Sequence, residues 1–161
     1  NTSFIKYSFT KLCKIFKTYL LESLFYLRHH KKFKTTLERL EIILKSDSFP
    51  KDDNIAVLSF LYLYNNKLNL HFIEGTFEEG IPLVDAVLKN INEFRDRIDE
   101  HHIMLFYYKI ASLYFGAGDN KRCIEYLEKI IGNRTLQMRE DLMCFARILS
   151  LIAHYESGMD Y

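Results

Sequence analysis

The chain has 161 residues, of which 48% are hydrophobic, and this is enough apolar material for one compact domain or a short helical array. Its two prolines and six glycines are too few for the many turns of an all-β protein, so long helices are expected. The net charge of +1 is unevenly distributed, because residues 1–51 carry 11 Lys and Arg against four Asp and Glu, a net of +7, whereas residues 52–161 carry a net of −6.

The cysteines and the N-terminal stretch favour a cytoplasmic protein. Cys13, Cys123 and Cys144 each fall on or near an apolar helix face, and no Cys-x-x-Cys or Cys/His ligand spacing occurs, so reduced and buried thiols are expected. Four lysines interrupt the apolar pattern of residues 4–27, which excludes a signal peptide or a membrane span there. The first residue is not methionine and residues 157–161 resemble a turn, which together suggest a fragment of a longer chain.

The first predicted hairpin covers about residues 4–46. Apolar side chains recur at spacings of three and four residues from Phe4 to Leu27, which predicts one long helix. The basic residues 28–32 are interpreted as the turn, because positive charge suits the negative end of the helix dipole. A partner helix is expected over residues 33–44.

The second predicted hairpin covers about residues 54–94 and follows a break around Pro50 that is rich in capping residues. Its first helix is expected over residues 54–73 and its second over residues 77–94. Pro82 lies near the start of the second helix, where its missing N–H costs little if it falls in the first turn.

The third predicted hairpin, residues 100–131, has the clearest pattern. Two glycines, at positions 116 and 118, tolerate the left-handed geometry that ends a helix, and Asp119 can cap the next helix by accepting its first N–H groups. Apolar residues form one face on each of the two helices: Ile110, Ala111, Tyr114 and Phe115 on the first, and Cys123, Ile124, Leu127 and Ile130 on the second.

The residue pattern of this hairpin matches the large and small positions of a known repeat, at Tyr107, Ile110, Ala111, Tyr114, Cys123, Leu127 and Ile130. The hairpin therefore resembles a tetratricopeptide repeat. The second helices of the three hairpins superpose on Thr36, Gly80 and Cys123, which are 44 and 43 residues apart. The resemblance implies an all-α fold, a TPR-like α-solenoid of antiparallel helix pairs with about seven helices, as a single domain over residues 1–161.

No motif predicts catalysis or a bound group. The Gly-rich phosphate loops, HExxH and GxSxG are absent. His29 and His30, and likewise His101 and His102, are neighbours that point about 100° apart on a helix, so neither pair can share a metal ion. We therefore expect a protein that is not an enzyme and that uses no metal and no cofactor.

In tetratricopeptide arrays the first helix of each pair lines a concave groove that holds peptides, so the resemblance implies a peptide-binding face here. Asn65 and Asn69 lie one helical turn apart and can both donate to and accept from a peptide backbone. The alternative is that these asparagines, with Asn66, form a solvated helix face. The residues that the repeat register places on the groove or at its edge are Asn65, Asn69, Phe72, Tyr108, Lys109, Ser112 and Phe115.

A last helix is expected over residues 136–157, and it has no partner helix within the sequence. Its outer side must be covered by further chain, by another protein or by a second copy, because an open solenoid end is normally capped. The apolar residues that form this expected interface are Leu142, Phe145, Leu149, Ile152 and Tyr155.

The leading hypothesis is a non-catalytic scaffold that binds a protein or peptide partner, including a homodimer through the last helix, with no membrane and no nucleic acid as partner. Two alternatives stay open. The chain could be a peptide-sensing regulatory domain attached to a DNA-binding module, with the basic cluster at Arg28, Lys31, Lys32 and Lys34 contacting an anionic partner. It could also be an enzyme whose site lies between helices.

Overall fold

The structure, a computed structural model, describes residues 19–46, 52–133 and 140–158. Within these ranges 83% of the residues are helical and no strand occurs, which confirms the all-α prediction. The contacts divide the chain into two compact units, Asn1–Glu74 and Gly75–Tyr161. The solenoid of antiparallel pairs, and its continuity as one domain, stay predictions.

The first unit contains the helical residues 19–26 (α1), His30–Lys45 (α2) and Asp53–Glu74 (α3). Helix α2 packs against α3. The buried core joins α1 to α2, and apolar residues of α3 cover it in part. Its buried members are Leu21, Leu24, Phe33, Leu37 and Leu40, and the half-buried residues packed on them are Phe25, Leu44, Leu63, Leu70 and Ile73.

The turn between α1 and α2 is shorter than the predicted residues 28–32, and α2 begins three residues earlier than expected. The N–H groups of Arg28 and His29 donate to the carbonyls of Phe25 and Leu24 at 3.0 Å each. This is the double hydrogen bond of a Schellman motif, which closes the end of a helix within a few residues. Phe33 N–H already donates to His29 O at 2.9 Å, so the α2 ladder starts directly after the turn.

A charged cluster joins α2 to α3. The carboxylate of Glu41 accepts from Lys67 Nζ at 2.8 Å and from Lys45 Nζ at 2.9 Å. These hydrogen bonds, first that of Lys67 and then that of Lys45, lower the pKa of Glu41. Because about a quarter of the side-chain surface of Glu41 and Lys67 is exposed, the cluster is only partly screened by water.

We expect Glu41→Gln to lower the free energy of unfolding by about 1 kcal/mol at pH 7, because one side chain loses two ionic partners. A lowered carboxyl pKa stabilises the fold above the unfolded value of 4.5, and this stabilisation is lost as the pH falls through the folded pKa. The difference between wild type and variant should therefore shrink below pH 4.5 in urea titrations. Glu38→Gln, on an exposed position of the same helix, is the control and should change little. A Glu41→Gln effect equal to that control would mean that the cluster contributes nothing.

The second unit contains Phe77–Gly80 (α4), Leu83–Glu93 (α5), Glu100–Gly116 (α6), Asn120–Ile131 (α7) and Glu140–Glu156 (α8). The prediction of one helix over residues 77–94 is wrong, because that stretch is divided into α4 and α5. Pro82 has no N–H to donate to the carbonyl of Glu78, which accepts from Ile81 N–H instead at 3.2 Å. Pro82 then takes the N-cap position of α5, where it loses no helical hydrogen bond.

Helices α6 and α7 form the predicted hairpin and pack along each other, and α8 packs on both. Gly118 has a φ of +79° and donates to Phe115 O at 3.0 Å, while Asp119 N–H donates to Tyr114 O at 2.9 Å. The predicted left-handed stop is thereby confirmed at Gly118. Gly116 has another role, because the ring of Phe77 in α4 lies so close to its Cα that a Cβ would overlap the ring.

Asp119 caps α7 as predicted, since its Oδ1 accepts from Arg122 N–H at 3.0 Å. We expect Asp119→Ala to lower the free energy of unfolding by roughly 0.5–2 kcal/mol, because one N–H of the first turn loses its acceptor. Asp119→Asn keeps an acceptor oxygen and should retain most of the stability. Urea unfolding followed by circular dichroism would compare the two. Equal losses in both variants would assign the effect to charge rather than to capping.

A left-handed residue follows four helices in the described ranges: Arg28 after α1, Gly75 after α3, Gly118 after α6 and Gly158 after α8, with φ values of 53°, 69°, 79° and 66°. Helices α1, α3 and α6 are the first helices of the three predicted hairpins, and α8 is the predicted last helix. Left-handed endings of this kind are common among helices. In the predicted repeat register Arg28 lies eight residues before Thr36, whereas Gly75 and Gly118 lie five residues before Gly80 and Cys123. None of the helices in the described ranges combines the length and the apolar content needed to cross a membrane.

Candidate functional site

Helix α8 presents an apolar face to solvent. Five large side chains on it are 43–86% exposed: Phe145, Ile148, Leu151, Ile152 and Tyr155. Four of them, at positions 145, 148, 152 and 155, follow the alternating spacing of three and four residues that places side chains in one seam along a helix. Scattered exposed apolar residues are ordinary, but a continuous row on one helix indicates an interaction surface.

The opposite face of α8 is buried in the second unit, through Leu142, Ala146, Ser150 and Ala153. The structure therefore separates the five predicted interface residues. Phe145, Ile152 and Tyr155 lie on the solvent side, Leu149 is half-buried, and Leu142 is buried. Sequence reasoning missed Ile148 and Leu151, although Ile148 lies three residues after Phe145 and Leu151 lies four residues before Tyr155. The whole exposed set of five is called the α8 face below.

The predicted groove residues of α3 differ in their exposure. Asn69 is buried, with 6% of its surface exposed, whereas Asn65 and Phe72 are half-buried. Asn66 is buried as well, and its Nδ2 donates to Tyr62 O one turn earlier at 2.8 Å. A fully solvated asparagine face is therefore not present, and a peptide could reach Asn69 only after the side chain is uncovered. The peptide-binding role of these residues stays a prediction.

The predicted groove residues of α6 are Tyr108, Lys109, Ser112 and Phe115, and all four are half-buried. The hydroxyl of Ser112 donates to Tyr108 O at 2.9 Å, so its donor is used within the helix. Burial lowers the pKa of Lys109 to about 8, because the charged ammonium loses hydration. Burial also raises the pKa of Tyr108. These residues belong to the second unit, and those of α3 belong to the first.

A row of tyrosines and cations links α6 to α7. The rings of Tyr107 and Tyr114 lie 5.8 and 5.9 Å from that of Tyr126, and the ammonium of Lys129 lies 4.3 Å from the centre of the Tyr126 ring. Arg122 lies 5.3 Å from the centre of Tyr114. Such contacts add to the stability of the hairpin. Tyr114 and Tyr126 are buried, so their ring faces are not exposed for stacking against the bases of a nucleic acid.

The described cysteines and histidines offer no assembled catalytic group. Cys123 is buried as predicted, and burial raises its pKa to about 12, which keeps the thiol protonated and unreactive at neutral pH. The expectation for Cys144 is wrong, because it lies exposed on α8, and Cys13 lies outside the described residues. His102 Nδ1 lies 2.7 Å from the Asp99 carboxylate at the start of α6. No group of three or more potential metal-binding side chains occurs within the described ranges.

A cavity of about 450 Å³ lies in the first unit, beside the turn between α1 and α2. Apolar side chains from α1 and α3 form its walls, and Arg28 from the turn and His30 from the start of α2 complete them. The predicted groove residue Phe72 is one of these wall residues. The full lining consists of Phe25, Tyr26, Arg28, His30, Phe72 and Ile73.

No protein-family model, no curated protein and no solved structure matches the chain. The tetratricopeptide resemblance therefore rests on the residue pattern of the sequence.

Proposed function

We propose that the chain is a non-catalytic scaffold domain that binds a protein partner through the α8 face. The observation that carries this proposal is the row of five exposed apolar side chains on α8. With exposed fractions of 43–86%, these side chains leave on the order of 500 Å² of apolar surface in water. That is near the upper end for the largest patch on a typical monomer, roughly 300–600 Å², and such patches are often functional.

The geometry of the α8 face favours a helical partner. Because residues 145, 148, 152 and 155 form one seam, a second helix laid along α8 would place its own apolar side chains between them. The partner can be another protein or a second copy of this chain. A TPR-like array would use the same packing internally, since each of its helices covers the apolar side of its neighbour.

The test compares the wild type with the double variant Ile148→Gln/Ile152→Gln. Glutamine is a better helix former than isoleucine and replaces the apolar end of the side chain by an amide, so the free energy of unfolding should stay within about 0.5 kcal/mol. We expect a partner identified by mass spectrometry after affinity capture to bind the double variant at least tenfold more weakly. Sedimentation velocity over a range of concentrations would show whether the partner is a second copy.

The matched control is Arg147→Gln, which changes an exposed residue directly before Ile148 that is not a member of the α8 face. It should bind the partner as the wild type does. Equal affinity of the wild type and the double variant would contradict the proposal. A partner lost only when Asn65 and Asn69 are replaced by alanine would move the binding site to the predicted peptide groove.

A further inference from the structure

We propose that the cavity beside the α1–α2 turn binds a small organic anion with an apolar body, such as an aromatic carboxylate. Its volume of about 450 Å³ lies within the range of small-molecule sites, roughly 300–1,000 Å³. It is open to solvent on one side, since its six lining residues are exposed or half-buried. Phe25, Phe72 and Ile73 supply apolar walls, and Arg28 and His30 supply hydrogen-bond donors. An apolar wall with a few convergent polar groups is the usual composition of a ligand pocket.

The donors that face this cavity are available for a ligand. Among the residues that the structure describes, neither the Arg28 guanidinium nor the His30 ring forms a hydrogen bond or an ion pair with another side chain. The nearest acid along α3, Glu74, is paired with Lys34 Nζ at 3.4 Å. Lys31 and Lys32 follow His30 directly in the sequence, and positive charge near the site favours an anion.

The backbone of Arg28 gives a second, independent reason. Its φ of +53° places an arginine in the left-handed region, where the other helix-ending positions, 75, 118 and 158, have glycine. A residue with a Cβ is strained there and glycine is not. Strain of this kind is typically retained where a side chain has a role that the alternative residue would lose.

The chemistry of Arg28 selects the head group of the ligand. The guanidinium presents parallel N–H donors whose spacing matches the two oxygens of a carboxylate, and such charged hydrogen bonds are stronger than neutral ones. The aromatic and branched walls then hold the apolar body. A ligand without the charge would keep only the contacts with the walls, and a ligand without the apolar body would keep only the head-group contact.

The experiment titrates the whole chain with 2-naphthylacetate and with its neutral counterpart 2-naphthylacetamide, followed by NMR and calorimetry. We expect 2-naphthylacetate to bind with a Kd on the order of 0.1–1 mM, and the amide at least tenfold more weakly. Shifts should appear at Phe25, Phe72 and Ile73. Equal binding of both compounds, or no binding of the acid at millimolar concentration, would overturn the proposal.

Arg28→Gly gives the sharpest variant, because a loss of folding cannot explain its result. Glycine relieves the left-handed strain, so the midpoint of thermal unfolding should rise while the affinity for 2-naphthylacetate falls at least tenfold. Lys31→Ala, an exposed basic neighbour outside the cavity lining, is the control and should change the affinity less than twofold. Unchanged affinity in Arg28→Gly would overturn the proposal. So would a peptide ending in phenylalanine that binds at least tenfold more tightly than 2-naphthylacetate, since the ligand would then be a chain terminus.

Discussion

Phe33→Ala is expected to lower the free energy of unfolding by about 3–5 kcal/mol. Phe33 has no exposed surface and is among the largest fully buried side chains in the described ranges. It stands at the start of α2, with its ring centre 6.3 Å from that of Phe25 in α1, within the cluster that includes Leu21, Leu24 and Leu37. Truncation would leave a void between two helices that a single turn holds together, so the site can close only in part.

The measurement is urea unfolding followed by circular dichroism, with Ile42→Ala as the matched control. Ile42 lies on the same helix but is 69% exposed, so its truncation should cost less than about 0.5 kcal/mol. Because a domain of this size has a total stability of roughly 5–15 kcal/mol, the loss at Phe33 would be visible as a large fall in the midpoint. Similar stabilities of Phe33→Ala and Ile42→Ala would show that α1 and α2 do not share the core around Phe33.

The helices with a strong apolar periodicity and with clear start and stop residues were predictable from the sequence. For the α6–α7 hairpin the sequence predicted both helices, the left-handed residue that ends α6 and the residue that caps α7. This was possible because Gly118 and Asp119 each have a local structural role that follows from the residue type. The division at Pro82 was predictable only in part. Whether a proline begins a helix or interrupts it depends on which backbone carbonyl loses its N–H donor. The helical spacing of apolar residues continues on both sides of Pro82, so this spacing does not show where one helix ends and the next begins.

The candidate sites show a different limit. The α8 face was half predictable, because periodicity finds the apolar residues of a helix but does not say which of two apolar sides is buried. Leu142 and Phe145 are equally apolar in the sequence, yet one lies in the core and the other in water. The cavity at Arg28 could not be predicted from residue types, because arginine carries no signal for a left-handed backbone. The predicted repeat register does not supply that signal either, because it aligns Gly75 and Gly118 with Lys31 and not with Arg28.

The two proposed surfaces would respond differently to mutation. The α8 face consists of exposed side chains, so changes there should alter binding with little effect on folding. The cavity at Arg28 borders the core that holds Phe33, because its lining residues Phe25 and Ile73 also pack against that core. Variants of its apolar walls will therefore change stability as well as binding, which is why Arg28→Gly tests that site better than a truncation of Phe72 would.

Lys109→Met is expected to raise the free energy of unfolding at pH 7 by about 2–3 kcal/mol. Burial lowers the pKa of Lys109 from 10.5 to about 8, so at pH 7 the folded chain carries a poorly hydrated ammonium that the unfolded chain exposes to water. Each unit of displaced pKa corresponds to about 1.4 kcal/mol, and methionine has a similar length without the charge. Lys121→Met, at an exposed position of α7, is the control and should leave the stability nearly unchanged.

The pH dependence gives this prediction its sign. Between about pH 8 and pH 10.5 the unfolded chain binds more protons at Lys109 than the folded chain does, so the contribution of this residue to stability rises with pH across that window. The advantage of Lys109→Met over the wild type should therefore be largest below pH 8 and approach zero near pH 10.5. Urea titrations of both proteins at several pH values, compared as differences, remove the effect of the tyrosines, which both chains share. An advantage that does not change with pH would contradict the prediction, because it would show that the ammonium is hydrated in the folded state.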